Sequence, residues 1–242
     1  MDEIASGIHP GHVHPHADLA YTDLARADLS EARLTGARLT GADLTDARLT
    51  RAHLAYANLA GAKLTGAQLI EANLTGTELT SAHLIHADLT GADLTGAELA
   101  RADLTNARLG TVAPPGQPLN NACLNGANLF AAGLGKADLT GVNLIHADLT
   151  RARLPGTRLA GADLTAADLS GANLINANLT DANLTEVNVN RVLWSEPGTR
   201  WPAVWAEVMR EISERVGPDT WLVGGREGGP EPHILPGAAD GS

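Results

Sequence analysis

Residues 87–105 read ADLTGADLTGAELARADLT, a five-residue phrase that recurs until Leu89, Leu94, Leu99 and Leu104 stand at equal intervals. Stepping by five from Leu19 reaches position 189 without a slip, through 35 positions of which 33 are Leu; only Pro114 and Val189 differ. Two residues before each position stands a small residue, nearly always Ala, the exceptions being Thr22, Thr77, Thr157, Val112, Val142, Val187 and Gln117. The unit is Ala, then Asp, Asn or Arg, then Leu, then Thr or Ala, then a residue that is often Gly.

A period of five suits neither regular element. On an α-helix each unit advances about 500°, so the leucines would spiral round the axis and leave no stripe. In extended chain, residues two apart share a face, so the small residue and the Leu both point inward, but the next unit is then out of phase. The chain must therefore turn within the other three residues, and Gly at Gly36, Gly41, Gly61, Gly66, Gly91, Gly96, Gly161 and Gly171 suits such a corner. Short extended pieces joined by like corners make a coil whose turns stack at strand spacing, about 4.8 Å, with leucines filling the axis.

On these residues the chain resembles the pentapeptide-repeat family over residues 15–190. The resemblance implies an all-β solenoid, a right-handed quadrilateral β-helix with four units per coil. The chain is expected to divide into a flexible His-rich arm at 1–14, the β-helix at 15–190, a C-terminal α-helical cap at 191–223 and a disordered tail at 224–242. Within the cap, Pro202 and Gly217-Pro218 predict a helix over 202–216, with Trp205, Val208, Met209, Ile212 and Val216 on one face.

The 242-residue chain carries a formal charge of −11. That balance disfavours a sequence-independent grip on nucleic acid and favours a basic protein partner. The lone Cys123 excludes an intrachain disulfide, and neither a leader nor an apolar run of membrane length is present, so the expectation is a cytoplasmic protein that contacts no membrane. No phosphate-cradling loop or Cys-x-x-Cys pair is found, so no cofactor is expected. The arm's His9, His12, His14 and His16 lack acidic or Cys partners and do not read as a metal site.

Taking residues 20 apart as neighbours, one outward ladder is Asp28, Arg48, Gln68, Asp88, Arg108, Asn128, Asp148, Asp168. Another is Asp23, Asp43, Lys63, His83, Asp103, Cys123, Asn143, Asp163. The second aligns His83, Asp103 and Cys123, but two coils separate the imidazole from the thiol, beyond hydrogen-bond reach, so no catalytic site is expected. Some family members resemble duplex DNA in width and charge and bind DNA gyrase or topoisomerase IV. The resemblance therefore implies a partner surface of carboxylates, with Asp23, Asp28, Asp43, Asp88, Asp93, Asp103, Asp148, Asp163 and Asp168 as candidates. Outward arginines such as Arg48 and Arg108 would interrupt such a stripe, so a scaffold for an unrelated protein partner stands beside DNA mimicry.

Two segments offer further candidates. The stretch at 110–118 contains Pro114, Pro115 and Gly116, keeps the leucine phase, and is expected to replace one unit and insert nothing; it is a surface irregularity or a contact loop. Trp194, Trp201, Trp205, Val208, Met209, Ile212 and Trp221 would cap the last coil or join two copies in a homodimer.

Overall fold

The computed structural model describes residues 13–110 and 121–224. Each unit contributes one bridging residue, the one before the Leu, and that residue pairs in parallel with the residue 20 positions on: Asp23 with Asp43, Asp43 with Lys63, Lys63 with His83. Twenty residues are four units, so the coil has four sides. Coil-to-coil bonding repeats at every side: Leu44 N–H donates to Lys63 O at 2.7 Å, Lys63 N–H to Ala42 O at 2.9 Å, and Asp46 N–H to Thr65 O at 2.9 Å.

Each corner is an i to i+3 turn, as where Ala47 N–H donates to Leu44 O at 3.0 Å. Its third residue has positive φ. Glycine meets this need without strain, yet 21 of the positive-φ residues are not glycine, Asp46, Tyr56, Arg151 and Ala166 among them. The residue before the Leu supports the corner from outside. Asp43 Oδ1 accepts from Thr45 N–H at 3.1 Å, and Asn58 Oδ1 accepts from Ala60 N–H at 3.0 Å. An acceptor two residues ahead of an amide is the Asx turn, which explains the preference for Asp and Asn at this position.

The interior is almost wholly Leu and Ala, and Leu94, Leu99 and Leu104 are fully buried. Where Thr replaces the inward Ala its hydroxyl finds a carbonyl: Thr77 Oγ1 donates to Leu54 O at 3.0 Å and Thr157 Oγ1 to Leu134 O at 2.6 Å. Both buried hydroxyls are thus paired, as a dry core demands, whereas Trp201 Nε1 in the C-terminal segment is buried without a partner.

Across 111–120 the register changes. Asp93 pairs with Cys123, Glu98 with Asn128, Asp103 with Gly133 and Arg108 with Asp138, a step of 30 in place of 20. Ala122 N–H closes the corner on Leu109 O at 2.7 Å, where the residue three after the Leu normally does so. Residues 111–120 are therefore an insertion of two unit lengths, which corrects the expectation that nothing is inserted. Pro114, Pro115 and Gly116 lie outside the described residues.

Beyond position 190 the ladder continues. Leu193 bridges to Asn173 and Arg200 to Asn178, so the last coil runs past the boundary expected at 190. Strand β1, Leu193–Ser195, is also the edge of a three-stranded antiparallel sheet in the order β1-β3-β2, with β2 at Ser213–Gly217 and β3 at Thr220–Val223. Helix α1 covers only Ala206–Glu211. The helix expected over 202–216 is thus cut short: Ser213–Gly217 is a strand, Gly217-Pro218 opens the β2–β3 turn, and Val216 is exposed. Pairing with β3 outweighs the helical spacing of the apolar residues here.

Trp194, Trp201, Trp205, Met209 and Ile212 are buried and continuous with the leucine core, with Val208 and Trp221 packed against it. Trp194 stacks on Trp221 with ring centroids 5.7 Å apart, meets Trp201 edge to face at 6.0 Å, and donates Nε1–H to Ser213 Oγ at 3.0 Å. These aromatic faces are occupied by the chain's own core.

Candidate interaction surface

The register change decides which residues share a side. Two units are half of a four-unit coil, so every ladder that crosses the insertion passes to the opposite face from the one a constant step of 20 assigns. The first side carries Asp18, Arg38, Asn58, Glu78, Glu98, Asn128, Asp148, Asp168 and Asn188, and the second Asp23, Asp43, Lys63, His83, Asp103, Gly133, Arg153 and Asn173. The third carries Asp28, Arg48, Gln68, Asp88, Arg108, Asp138, Arg158 and Asn178, and the fourth Arg33, His53, Asn73, Asp93, Cys123, Asn143, Asp163 and Asn183.

Both expected ladders are corrected by this. Asp148 and Asp168 stand on the first side with Glu78 and Glu98, apart from Asp28 and Asp88 on the third. Asp163 stands on the fourth side with Asp93, apart from Asp23, Asp43 and Asp103 on the second. The nine candidate carboxylates are spread over all four sides. Cys123 shares no side with His83 or Asp103; its thiol lies 3.4 Å from Thr95 Oγ1. Among the described residues no group of three or more His, Cys, Asp or Glu side chains could hold a metal ion, and no helix is long and apolar enough to cross a membrane.

What the structure does assemble is an electrically two-sided rod. The first and fourth sides are adjacent, and from Asn58 onward they and the corner between them carry Glu78, Asp93, Glu98, Asp148, Asp163, Asp168 and Glu186 with no Lys or Arg. The corner itself holds Tyr56, Gly76, Gly96, Gly126, His146, Ala166 and Glu186. Beyond Asn58 the cations of the β-helix lie on the second and third sides and at their corners, where Arg101, Arg151 and Arg191 border the first side. On the third they alternate with acids and pair one coil apart, as Arg48 with Asp28 at 3.6 Å, Arg108 with Asp88 at 3.2 Å and Arg158 with Asp138 at 3.3 Å. Glu78, Glu98 and Glu186 were missed by reading only aspartates, although two of them occupy the same position before a Leu.

Each ladder carboxylate has a structural task as well as a charge. Asp148 Oδ1 accepts from Thr150 N–H at 2.9 Å, Asp163 Oδ1 from Thr165 N–H at 3.0 Å and Asp168 Oδ1 from Ser170 N–H at 2.7 Å. Desolvation raises the Asp93 carboxyl, but hydrogen bonds from the Thr95 hydroxyl and amide and from Thr75 outweigh it and hold the group below its ordinary value. The carboxylate oxygens not used at the corners give the side its negative field.

The described geometry has clear relatives. The family model for pentapeptide repeats matches residues 16–46, 42–80, 72–110, 122–161 and 157–192, with its gap at the insertion. HetL, a pentapeptide-repeat protein involved in heterocyst differentiation regulation in the cyanobacterium Nostoc sp. strain PCC 7120, is 30% identical over 75% of this chain and 89% of HetL, with a TM-score of 0.47. The trypsin-treated form of QnrB1, a plasmid-mediated fluoroquinolone resistance protein, is 18% identical over 76% of this chain and 86% of its own, with a TM-score of 0.51. No curated protein sequence matches. The likeness to QnrB1 is one of fold, a right-handed β-helix.

Proposed function

The chain belongs to the pentapeptide-repeat family, and we propose that it is a non-enzymatic, cytoplasmic binding rod whose acidic side docks on a basic surface of another protein. The observation that carries this reading is the cation-free acidic side formed by the first and fourth ladders. A long run of one sign steers an oppositely charged partner and suppresses like-charged ones. The surface that best fits an acidic rod is one that itself binds duplex DNA, so a type II topoisomerase, gyrase first, is the leading candidate partner.

Charge density favours keeping a second reading. The acidic side extends over about 30 Å at strand spacing, a length on which duplex DNA carries about 17 phosphates, against the seven carboxylates named above. Tyr21 and Tyr56, 79% and 70% exposed, stand at the two corners flanking the first side. Exposed aromatic rings beside a charged face are common anchors of ordinary protein interfaces, which supports a scaffold with an unrelated basic partner. In either reading the C-terminal sheet and helix serve as the cap that covers the last coil.

The deciding experiment is supercoiling of relaxed plasmid by gyrase with the protein titrated in, at two salt concentrations and with or without a fluoroquinolone. Salt-sensitive inhibition, or relief of drug-induced cleavage, is the outcome expected for a topoisomerase partner. No effect at tens of micromolar would leave the scaffold reading and direct the search to other basic proteins.

A further inference from the structure

The opposite side of the rod carries a feature of contrary sign. Cations on the ladders take an acid one coil back wherever one is present: Arg38 with Asp18 at 2.7 Å, Lys63 with Asp43 at 3.1 Å, Arg108 with Asp88 at 3.2 Å and Arg158 with Asp138 at 3.3 Å. Arg153 has no such acid, because the residue one coil back is Gly133 and the residue one coil on is Asn173. Lys136, at the next corner, has Asn106 behind it and Gly156 ahead. Neither cation forms an ion pair among the described residues.

The same substitution that leaves Arg153 unpaired also hollows the wall. Gly133 has no side chain where its ladder neighbours have one, and Gly135 and Pro155 keep the adjoining corner low. The result is an open depression of about 660 Å³ lined by Arg153 and Lys136, with Asn106 and Asn176 also at its wall. The Arg153 Nη2 lies 3.7 Å, and Asp103 Oδ1 3.3 Å, from the point a Cβ on Gly133 would occupy. Asp103 Oδ1 is itself engaged by Thr105 N–H at 3.0 Å and the Thr105 hydroxyl at 2.5 Å. Arg101 and Arg151, at the corner before this side, add to the positive field.

We propose that this depression binds a small polyvalent oxyanion, an organic phosphate or polycarboxylate, through Arg153 and Lys136. A guanidinium offers a planar pair of N–H donors and an ammonium a point charge, a combination suited to phosphate or carboxylate oxygens. The volume lies within the range of small-molecule sites, and the Gly133, Gly135 and Pro155 floor accepts the uncharged part of such a molecule. Because this site faces away from the acidic side, its occupancy is independent of the partner reading above.

The test is titration of the full chain with pyrophosphate and, separately, citrate at low ionic strength, following the amide resonances of Gly133, Gly135 and Gly156 by NMR. Saturable shifts are expected, with affinity falling at least tenfold in Arg153→Gln combined with Lys136→Gln. Gly133→Asp is the second variant. Its backbone makes the ordinary ladder bonds, Gly133 N–H to Ala102 O at 2.8 Å and Leu104 N–H to Gly133 O at 2.7 Å, and the new Cβ, 3.3 Å from Asp103 Oδ1, needs that side chain to give by only a few tenths of an ångström. It restores the missing acid beneath Arg153 and should abolish binding while the thermal midpoint is kept. A response to pyrophosphate alone assigns the site to phosphates, and a response to both assigns it to oxyanions generally. Absence of saturation up to about 10 mM, or equal affinity in the variants, overturns the proposal.

Discussion

At the scale of single residues, the fold depends on a left-handed residue at every corner, and the sequence supplies glycine at only some of them. Ala166 sits at φ 54° and Gly161 at φ 64° in neighbouring corners, and nothing lies within 4 Å of a Cβ added at Gly161. A methyl group at Gly161 therefore meets backbone strain and no steric clash. Ala166→Gly should raise stability by about 0.5–1 kcal/mol and Gly161→Ala should lower it by about 1 kcal/mol, read from paired denaturant midpoints. The corner carboxylates give a second expectation. The Thr45 hydroxyl first, with the Thr45 amide and Lys63, holds the Asp43 carboxyl below its ordinary value against some desolvation, and the Ser30 hydroxyl and amide with Arg48 do the same for Asp28. Folded values below the unfolded value of about 3.9 mean that the unfolded chain binds more protons as acidity rises. The stabilisation is therefore complete well above pH 4 and is lost as pH falls through the folded values. The melting temperature should decline from about pH 5 downward, and Asp43→Asn, which keeps the corner acceptor but cannot titrate, should make that decline shallower.

At the scale of elements, the insertion is the decisive feature, and its corner can be rebuilt from the residues that flank it. The normal corner runs from Leu through two residues to the next inward Ala. Deleting 111–120 would leave Leu109, Gly110, Asn121 and Ala122 in that order, with Asn, a residue tolerant of left-handed backbone, at the third place. The shortened chain should melt at the same temperature or higher, since only a long closure is removed. A drop of more than a few degrees would show that the inserted residues support the coil. The register on both sides of this point was legible in the leucine phase, but the insertion was not, because ten residues are two whole periods and leave the phase unchanged. The signal that could have found it is Gln117, a long polar side chain at an inward position, one unit after Pro114 stands where Leu belongs. Two adjacent units that both violate the dry interior are better read as chain outside the coil. The C-terminal segment was misread for a different reason. Apolar residues spaced for a helix over 205–216 also serve a short helix followed by a strand, and only the pairing of β3 between β1 and β2 selects the second arrangement.

At the scale of the whole molecule, charge sidedness is the property that links the insertion to binding, and it was hidden for as long as the register was. With a constant step of 20, Asp148 and Asp168 fall behind Arg108 and the acids appear scattered; with the half-coil shift they extend Glu78 and Glu98 into one cation-free side. The repeat makes this side unusually easy to test, because Asn already fills the same corner role at Asn58, Asn73, Asn143 and Asn183. Changing Asp93, Asp148, Asp163 and Asp168 to Asn, and Glu78, Glu98 and Glu186 to Gln, removes seven charges while keeping the amide acceptors that close the corners. The substituted rod should retain its β-type circular dichroism spectrum and cooperative melt. Its association with an immobilised DNA-binding protein surface, read by surface plasmon resonance at two salt concentrations, should slow at least tenfold and lose most of its salt dependence. A control in which Asp28, Asp88 and Asp138 become Asn leaves Arg48, Arg108 and Arg158 without their partners on the third side. The arginine of each pair is mostly solvent-exposed and Asn keeps the corner acceptor, so the control should fold as well. Its association should stay close to that of the unmodified chain, since those acids face away from the docking side. If the two variants lose association in proportion to the charges removed, seven against three, net charge alone governs the encounter and the acidic side has no special role; if the control keeps its association while the first variant loses it, the half-coil shift builds the interaction surface.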